Sequence, residues 1–339
     1  MSATETLSLA EIEDLALRAL MAAGTSRENA APLARATAMT EADGVASHGL
    51  AYVPIYAEHV TCGKVDGQAQ PQVSRSRPGV VTVDAATGFA HVAIDLGFEH
   101  LIPMAREQGV AVLAIRNSYN CGVLGCHTQR LAQAGLMGIG FTNAPASIAP
   151  SGGAQPVLGT NPFSIAAPGP DGQVTVLIDQ SASAIAKSEV MKHAREGRPV
   201  PEGWVLDATG NPTTDPEAGL KGSMVPAGGY KGVGVALMVE MMAAAMTGAL
   251  LGSEASPFSG PVGGPPRTGQ FFIAIDPGAT SGGGYADRMG ALVASVRAQE
   301  GAGLPGDGRA AARARAEQAG VAVSTATLAR VRALLPPRD

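Results

Sequence analysis

Cysteine is scarce in this 339-residue chain: only Cys62, Cys121 and Cys126 occur, and no two of them stand at the C-x-x-C spacing of a zinc site or redox motif. No metal centre is expected, and a reduced, cytoplasmic protein is the plain reading. Lysine is scarce too, with five residues against nineteen arginines, and no basic block interrupts a sequence of net charge −5. A chain without a basic stripe has nothing to follow a phosphate backbone, so nucleic-acid binding is not expected. The N-terminus carries acids where an export signal needs a basic region. The most apolar stretch, 232–252, contains Glu240 and many small residues, which suits a packed helix and predicts no membrane partner. Also missing is G-x-G-x-x-G after a first strand, the mark of a Rossmann dinucleotide site.

The length allows a substantial core without disulfides or metals. Ser8 with Glu11, and Thr25 with Glu28, have capping-box spacing and predict two N-terminal helices. From residue 80 the texture becomes α/β. VVTVD (80–84), VAVLAI (110–115), GIGFTN (138–143), VTVLID (174–179) and FFIAID (271–276) read as strands between helical segments. After Asp276 strand signals stop, and 284–299, 309–319 and 324–334 have helical periodicity. Helical ends thus bracket a sheet-containing middle. Gly and Pro cluster in the loops around 150–162 and 256–269, where binding sites are expected.

Four stretches can carry chemistry. DGVASHG (43–49) places Ser47 beside His48, but Val45 stands where a nucleophile elbow needs glycine, so a hydrolytic serine is disfavoured. His48 can give or take a proton near neutral pH with Ser47 orienting it, or it can be a histidine bonded at a helix end. GGYKGVG (228–234) runs into a helix spanning 232–250, so its free N–H groups and Lys231 can hold phosphate, or it is a turn with a solvated lysine. GTNPFS (159–164) offers Thr160 and Asn161 to a carboxylate, or makes an ordinary turn. At the end of a strand, Asp179 precedes Lys187, Ser188 and Glu189, which face a ligand or form a solvated helix face.

In order and spacing, DGVASHG, RNSYNCGVLG, GTNPFSIAAP, PEGWVLDATGNPTTDP, PAGGYKGVGVALMVEMMAAAMTGA and RTGQFFIAIDPG resemble the malate/L-lactate dehydrogenase family of the second type. That group includes sulfolactate, ureidoglycolate and diketogulonate oxidoreductases and the Δ1-piperideine-2-carboxylate/Δ1-pyrroline-2-carboxylate reductases. The resemblance covers nearly the whole chain. It implies an α/β, L-sulfolactate dehydrogenase-like fold: a mixed sheet with a non-Rossmann nicotinamide-binding domain, plus a helical domain built from both chain ends. The implied division is 1–115 with 285–339 for substrate and dimerisation, and 116–284 for the cofactor. A homodimer follows, to which the alanine- and methionine-rich helix at 238–252 is also suited.

The same resemblance assigns residues. Ser47 and His48 are expected to act with Glu189, the histidine giving the proton while hydride comes from the nicotinamide. Tyr52, Thr160, Lys187 and Ser188 would line the substrate. Asn120, Cys121, Gly122, Asp179, Gln180, Ser181, Gly229, Tyr230, Lys231 and Asp307 would meet the cofactor, with Arg309 or Arg313 pairing a 2′-phosphate, which places NADP(H) ahead of NAD(H). Three positions depart from the common pattern: Tyr52 stands for an arginine, Asn120 for a histidine and Glu189 for a lysine. The expected activity is NAD(P)H-dependent reduction of the C=N of a cyclic imine 2-carboxylate. The alternative is a dehydrogenase of a small 2-hydroxy acid such as malate, lactate or sulfolactate. A non-catalytic or hydrolytic relative that kept the fold is the remaining reading.

Overall fold

The computed structural model, which describes residues 3–336, begins with strand β1 (Thr4–Leu7) and helix α1 (Leu9–Ala22). Ser8 caps α1 as its spacing predicts: its Oγ accepts the Glu11 N–H at 3.2 Å, and the Glu11 carboxylate accepts the Ser8 N–H at 2.8 Å. At α2 (Arg27–Ala42) the cap falls one residue later than expected. Ser26, not Thr25, accepts from the Asn29 N–H, and the Thr25 N–H is bonded to the Leu20 carbonyl, so no reciprocal box of Thr25 with Glu28 forms. Two short 3-10 turns, Ala46–His48 and Leu50–Tyr52, then lead into α3 (Val53–Thr61).

Strands β2 (Gln72–Arg77) and β3 (Val80–Asp84) pair antiparallel, and α4 (Ala90–Gln108) crosses over to β4 (Val110–Ser118), parallel to β3. Helix α5 (Leu124–Gln133) leads to β5 (Met137–Thr142), followed by β6 (Phe163–Pro168) and β7 (Val174–Gln180), all antiparallel. A small lobe comes next: α6 (Lys187–Arg195), β8 (Val205–Leu206), β9 (Pro212–Thr213), α7 (Pro216–Lys221) and β10 (Ser223–Met224), its short strands ordered β10-β8-β9. Helix α8 (Tyr230–Glu240) widens into a π turn at Met241–Ala245, shorter than the continuous helix to 250 that the sequence suggests. The remaining elements are β11 (Thr268–Ile275), α9 (Pro277–Ser281), α10 (Tyr285–Arg297), α11 (Asp307–Ala319), β12 (Val321–Ser324) and α12 (Thr325–Arg332).

One mixed seven-stranded sheet, ordered β2-β3-β4-β11-β5-β6-β7, forms the centre. β11 lies between β4 and β5, and its alternation splits two cores. Phe272 packs with Phe98, Leu101 and Leu113 beneath α4, while Phe271 packs with Phe141 and Val239 beneath α8. A third core joins both chain ends, with Ile12, Leu20 and Leu33 against Leu328 and Val331.

The five expected strands are present. The C-terminal region, in contrast, is not free of strands: β12 pairs with β1, Thr4 opposite Ser324. A two-stranded ribbon of four residues each is too short for periodicity to reveal. The boundary anticipated between residues 115 and 116 falls within β4, and β2 and β3 carry residues 72–84 into the same sheet. The parallel β3–β4 pairing fixes this, because it commits the crossover helix α4 to the sheet's face. Among the described residues no helix is long and apolar enough to cross a membrane.

Candidate active site

Glu41 explains why a glycine follows the Ser-His pair. Its buried carboxylate reaches under the turn and accepts the Leu50 N–H at 2.7 Å, and a Cβ on residue 49 would lie 2.2 Å from it. The turn carrying Ser47 and His48 is thereby pinned to the end of α2. Ser47 Oγ lies 3.1 Å from His48 Nδ1, so the hydroxyl can donate to Nδ1 and leave Nε2 to carry the mobile proton. Ser47 is exposed and His48 half-buried. Burial lowers the pKa of His48, and the Asp179 carboxylate opposes that shift.

The His48 ring lies parallel to that of Tyr52, with centroids 5.7 Å apart. The Tyr52 hydroxyl makes two long bonds, donating to the Phe258 carbonyl at 3.4 Å and accepting from Asn120 Nδ2 at 3.5 Å. Burial pushes this phenol up to about 12, so it stays neutral. Asn120 Oδ1 accepts the Gly122 N–H at 2.6 Å, and Gly122 adopts a φ of 67° with the His91 ring close by. The structure thus brings Ser47, His48, Tyr52, Asn120 and Gly122 together. Cys121 turns into the core instead, its thiol pushed up to about 12 by burial, which leaves only its backbone to meet a ligand.

Asp179, at the end of β7, accepts from Arg309 Nη1 at 2.8 Å. Arg313 donates through Nε to the buried Asp43 carboxylate at 2.9 Å and through Nη2 to Gln129 at 2.9 Å. Gly125 lies against this cluster, since a Cβ there would fall 2.7 Å from both Arg309 Nη1 and Asp179 Oδ2. These pairings bear on the expectation of a 2′-phosphate partner at Arg309 or Arg313. Both guanidiniums are held by carboxylates of the chain itself, and Arg313 spends its fork on Asp43 and Gln129, so neither is an unengaged partner for a 2′-phosphate. Asp307 likewise serves the start of α11: it accepts the Leu304 N–H at 2.8 Å and pairs with Arg297 at 3.3 Å. Tertiary pairing of this kind leaves no trace in local spacing.

A second group forms where three loops are stitched together. The Ala182 N–H bonds to the Thr160 carbonyl at 2.7 Å, the Ala227 N–H to Ala182 at 2.8 Å, and the Ala184 N–H to Val225 at 2.8 Å. Thr160, Ser181 to Ser188 and the loop before α8 are neighbours as a result. Gln180 is exposed, and the Ser181 hydroxyl is 3.0 Å from that of Ser183. Lys187 and Ser188 open α6, and burial lowers the Lys187 pKa although its side chain reaches the surface. Glu189 faces solvent and pairs with Lys192 at 3.8 Å. Among the described residues it makes no hydrogen bond or ion pair to Ser47 or His48. The carboxylate whose charge acts on His48 is Asp179.

The loop before α8 suits a phosphate-bearing ligand. Gly228 and Gly229 hold φ of 67° and 64° with no atom near where a Cβ would stand, and no side chain caps the helix. Gly232 lets the helix start close against Ala227, whose carbonyl oxygen would be 2.4 Å from a Cβ. Tyr230 is 71% exposed and Lys231 is exposed beside it. An open helix N-terminus, a lysine and an uncovered aromatic ring together fit the phosphate and the flat rings of a nicotinamide nucleotide.

One buried network escapes a reading of motifs. Glu240 accepts from Asn161 Nδ2 at 2.7 Å and from the Gly252 N–H at 2.6 Å, while Asn161 Oδ1 accepts the Ala144 N–H at 3.1 Å. Asn161 adopts a φ of 38°, and these bonds hold the strained residue beside Thr160. The only hint in the sequence is an acid inside an apolar run.

A serine-bonded histidine and an uncapped, glycine-led helix start, both carried on a mixed non-Rossmann fold, fit an NAD(P)-dependent oxidoreductase. The family model described as malate/L-lactate dehydrogenase matches residues 7–332, and the chain belongs to that family. It is 45% identical to a (2R)-3-sulfolactate dehydrogenase (NADP(+)) of Chromohalobacter salexigens, over 91% of each chain. It is 39% identical to a Δ1-pyrroline-2-carboxylate reductase of Ancylobacter novellus, over 97% of each chain. Among solved structures, Δ1-piperideine-2-carboxylate reductase from Pseudomonas syringae matches with a TM-score of 0.91 at 38% identity, covering 98% of this chain and 100% of the other.

Proposed function

We propose that the protein reduces the C=N bond of a cyclic imine 2-carboxylate of the Δ1-pyrroline or Δ1-piperideine type. The observation that carries this reading is the Ser47–His48 pair packed on the Tyr52 ring. His48 gives the ring nitrogen its proton and Ser47 orients the imidazole, while the Tyr52 ring offers an apolar wall to the saturated part of the substrate. Lys187 supplies the charge that faces the substrate carboxylate, with Thr160 and Ser188 beside it. Glu189, turned to Lys192, is replaced in this reading by Asp179 as the carboxylate that favours protonated His48. Two relatives named as reductases of such imines, at 39% and 38% identity, support it.

A reduced nicotinamide nucleotide supplies the hydride when bound. Gly229, Tyr230, Lys231 and the start of α8 hold its phosphates, with Asn120, Gly122, Gln180 and Ser181 along its length. NADP(H) is favoured over NAD(H), a choice supported by the relative named for NADP(+). The sheet is assigned to the cofactor, and the helical ends to substrate and dimer contacts. Leu237, Met238, Met241 and Met246 are exposed along α8 and its π turn, an apolar face suited to a second copy of the chain. Light scattering should report twice the 34.1 kDa chain mass, and a single monomer mass would remove the dimer. A cytoplasmic location completes the reading, and fractionation of the source cells tests it.

A second reading, oxidation of a small 2-hydroxy acid of the sulfolactate type, is favoured by the relative at 45% identity. In either reading His48→Asn should lower kcat by about 10²- to 10⁴-fold and leave nucleotide affinity nearly intact. An unchanged kcat would return His48 to a structural role.

A further inference from the structure

The glycine- and proline-rich loop between the π turn and β11 supplies only the Phe258 carbonyl to the site described above. Ser256 Oγ donates to the Gly264 carbonyl at 2.6 Å and closes the neck of an Ω-shaped loop over 256–264. Among the described residues no backbone–backbone hydrogen bond involves this loop. Side chains from the stretch 52–64 fasten it instead, and four successive carbonyls accept from them. Pro257 and Ser259 accept from Lys64 Nζ at 2.7 and 3.5 Å, Phe258 from the Tyr52 hydroxyl at 3.4 Å, and Gly260 from His59 Nε2 at 3.1 Å. A carbonyl only accepts, so Nε2 of His59 carries the hydrogen and, in the neutral ring, Nδ1 takes that of the buried Tyr119 hydroxyl.

Lys64 is wholly buried, and among the described residues its ammonium pairs with no carboxylate. Burying a charge is costly, and packing alone would be served by an apolar side chain of the same length. What the ammonium gains is the two carbonyls that bracket that of Phe258. Phe258 is also the one residue of 257–263 that is not exposed, its ring edge-on to Tyr119 with centroids 5.5 Å apart. The carbonyl that accepts from Tyr52 is therefore fixed on both sides and from beneath. Tyr52 in turn stands between His48, parallel at 5.7 Å, and Tyr56, edge-on at 4.7 Å.

We propose that Lys64 is a positioning residue for the active site: by fastening the 256–264 loop it aims the Phe258 carbonyl at the Tyr52 hydroxyl, and so fixes the wall that the Tyr52 ring presents to substrate. This role rests on the reading of Tyr52 as a substrate wall. Lys64 touches no reacting group and acts at one remove, through Phe258 and Tyr52. Pro257 and Ser259 are exposed, so their carbonyls can turn to water when the ammonium is removed, and its loss loosens the loop rather than unfolding the chain.

Lys64→Met keeps the length of the side chain, removes its donors and tests the role on the full chain in two ways. Chymotrypsin cleavage between Phe258 and Ser259, identified by mass spectrometry, should be slow in the wild type and about fivefold faster or more in the variant. Ser256→Ala, which opens the neck of the loop without touching Lys64, should speed the same cleavage. In steady-state assays with NADPH and Δ1-pyrroline-2-carboxylate, KM should rise about fivefold or more with kcat nearly unchanged, the pattern of lost binding shared by ground and transition states. The same substitution made in Tyr52→Phe, which has no hydroxyl for the loop to direct, should alter KM by less than about twofold. A purely structural lysine would instead give the same loss in both backgrounds. That equal loss, an unchanged KM, or unchanged cleavage would overturn the role. If an open-chain 2-oxo acid proves to be the substrate, the cycle is read with that acid, which keeps failure of the imine assignment separate from failure of this role. Turnover of neither class would remove the Tyr52 wall and this role together.

Discussion

Replacing Glu240 by alanine probes the buried network that holds Thr160 in place. The carboxylate accepts one strong bond from Asn161 Nδ2 at 2.7 Å and another from the Gly252 N–H at 2.6 Å, in a residue only 7% exposed. A hydrogen bond to a charged group contributes about 1.5–3 kcal/mol, so the two together contribute about 3–6 kcal/mol. Removing the buried charge returns part of that as relieved desolvation. The expected net loss is about 3–4 kcal/mol, a large share of the roughly 5–15 kcal/mol that separates folded from unfolded chains. Urea unfolding followed by circular dichroism should show a lower midpoint at unchanged slope. Glu240→Gln keeps the shape and one acceptor, and should lose about half as much. Because Asn161 adjoins Thr160, KM for substrate should rise in Glu240→Gln even where the protein remains folded. A loss below about 1 kcal/mol in Glu240→Ala would refute the assignment of these bonds.

Acid should destabilise the protein through its buried histidines. Burial pulls His127 down to about 4 from an ordinary 6.5 and lowers His91 in the same direction, so the unfolded chain binds protons that the folded chain refuses. Stability is then retained above pH 6.5 and falls as pH drops toward 4, by on the order of 3 kcal/mol from His127 alone. A urea midpoint that stays flat from about pH 7 to pH 4.5 would contradict neutral burial of the pair. Tyr52→Arg should shift kcat/KM from cyclic imines toward open-chain 2-oxo acids, because a guanidinium grips a carboxylate through two charge-assisted bonds. An unchanged ratio in steady-state assays would remove Tyr52 from the substrate wall.

The strands and helices of the sheet were legible because their hydrophobic runs are long enough to show a period. FFIAID announces β11, and its two phenylalanines do face opposite cores. The ribbon of β1 and β12 was invisible, since its pairing joins residues more than three hundred apart in four-residue pieces. For the site, local spacing singled out Ser47, His48 and the open start of α8, whose geometry is set between neighbours in sequence. It could not show the pairings of Arg309, Arg313 and Asp307, because their partners, Asp179, Asp43 and Arg297, are set by how α11 packs. Glu189 stayed open for a related reason. A carboxylate one turn into a helix can face ligand or solvent, and here Lys192 and solvent hold it.

The central claim is reduction of a cyclic imine, and steady-state assay of the wild-type protein with NADPH tests it most directly. Pyruvate, oxaloacetate, sulfopyruvate, Δ1-pyrroline-2-carboxylate and Δ1-piperideine-2-carboxylate are offered in turn while NADPH absorbance is followed. The highest kcat/KM is expected for one of the two imines. A preference of tenfold or more for oxaloacetate or sulfopyruvate, about 1.4 kcal/mol in transition-state binding, would contradict the imine assignment and favour the 2-hydroxy acid reading.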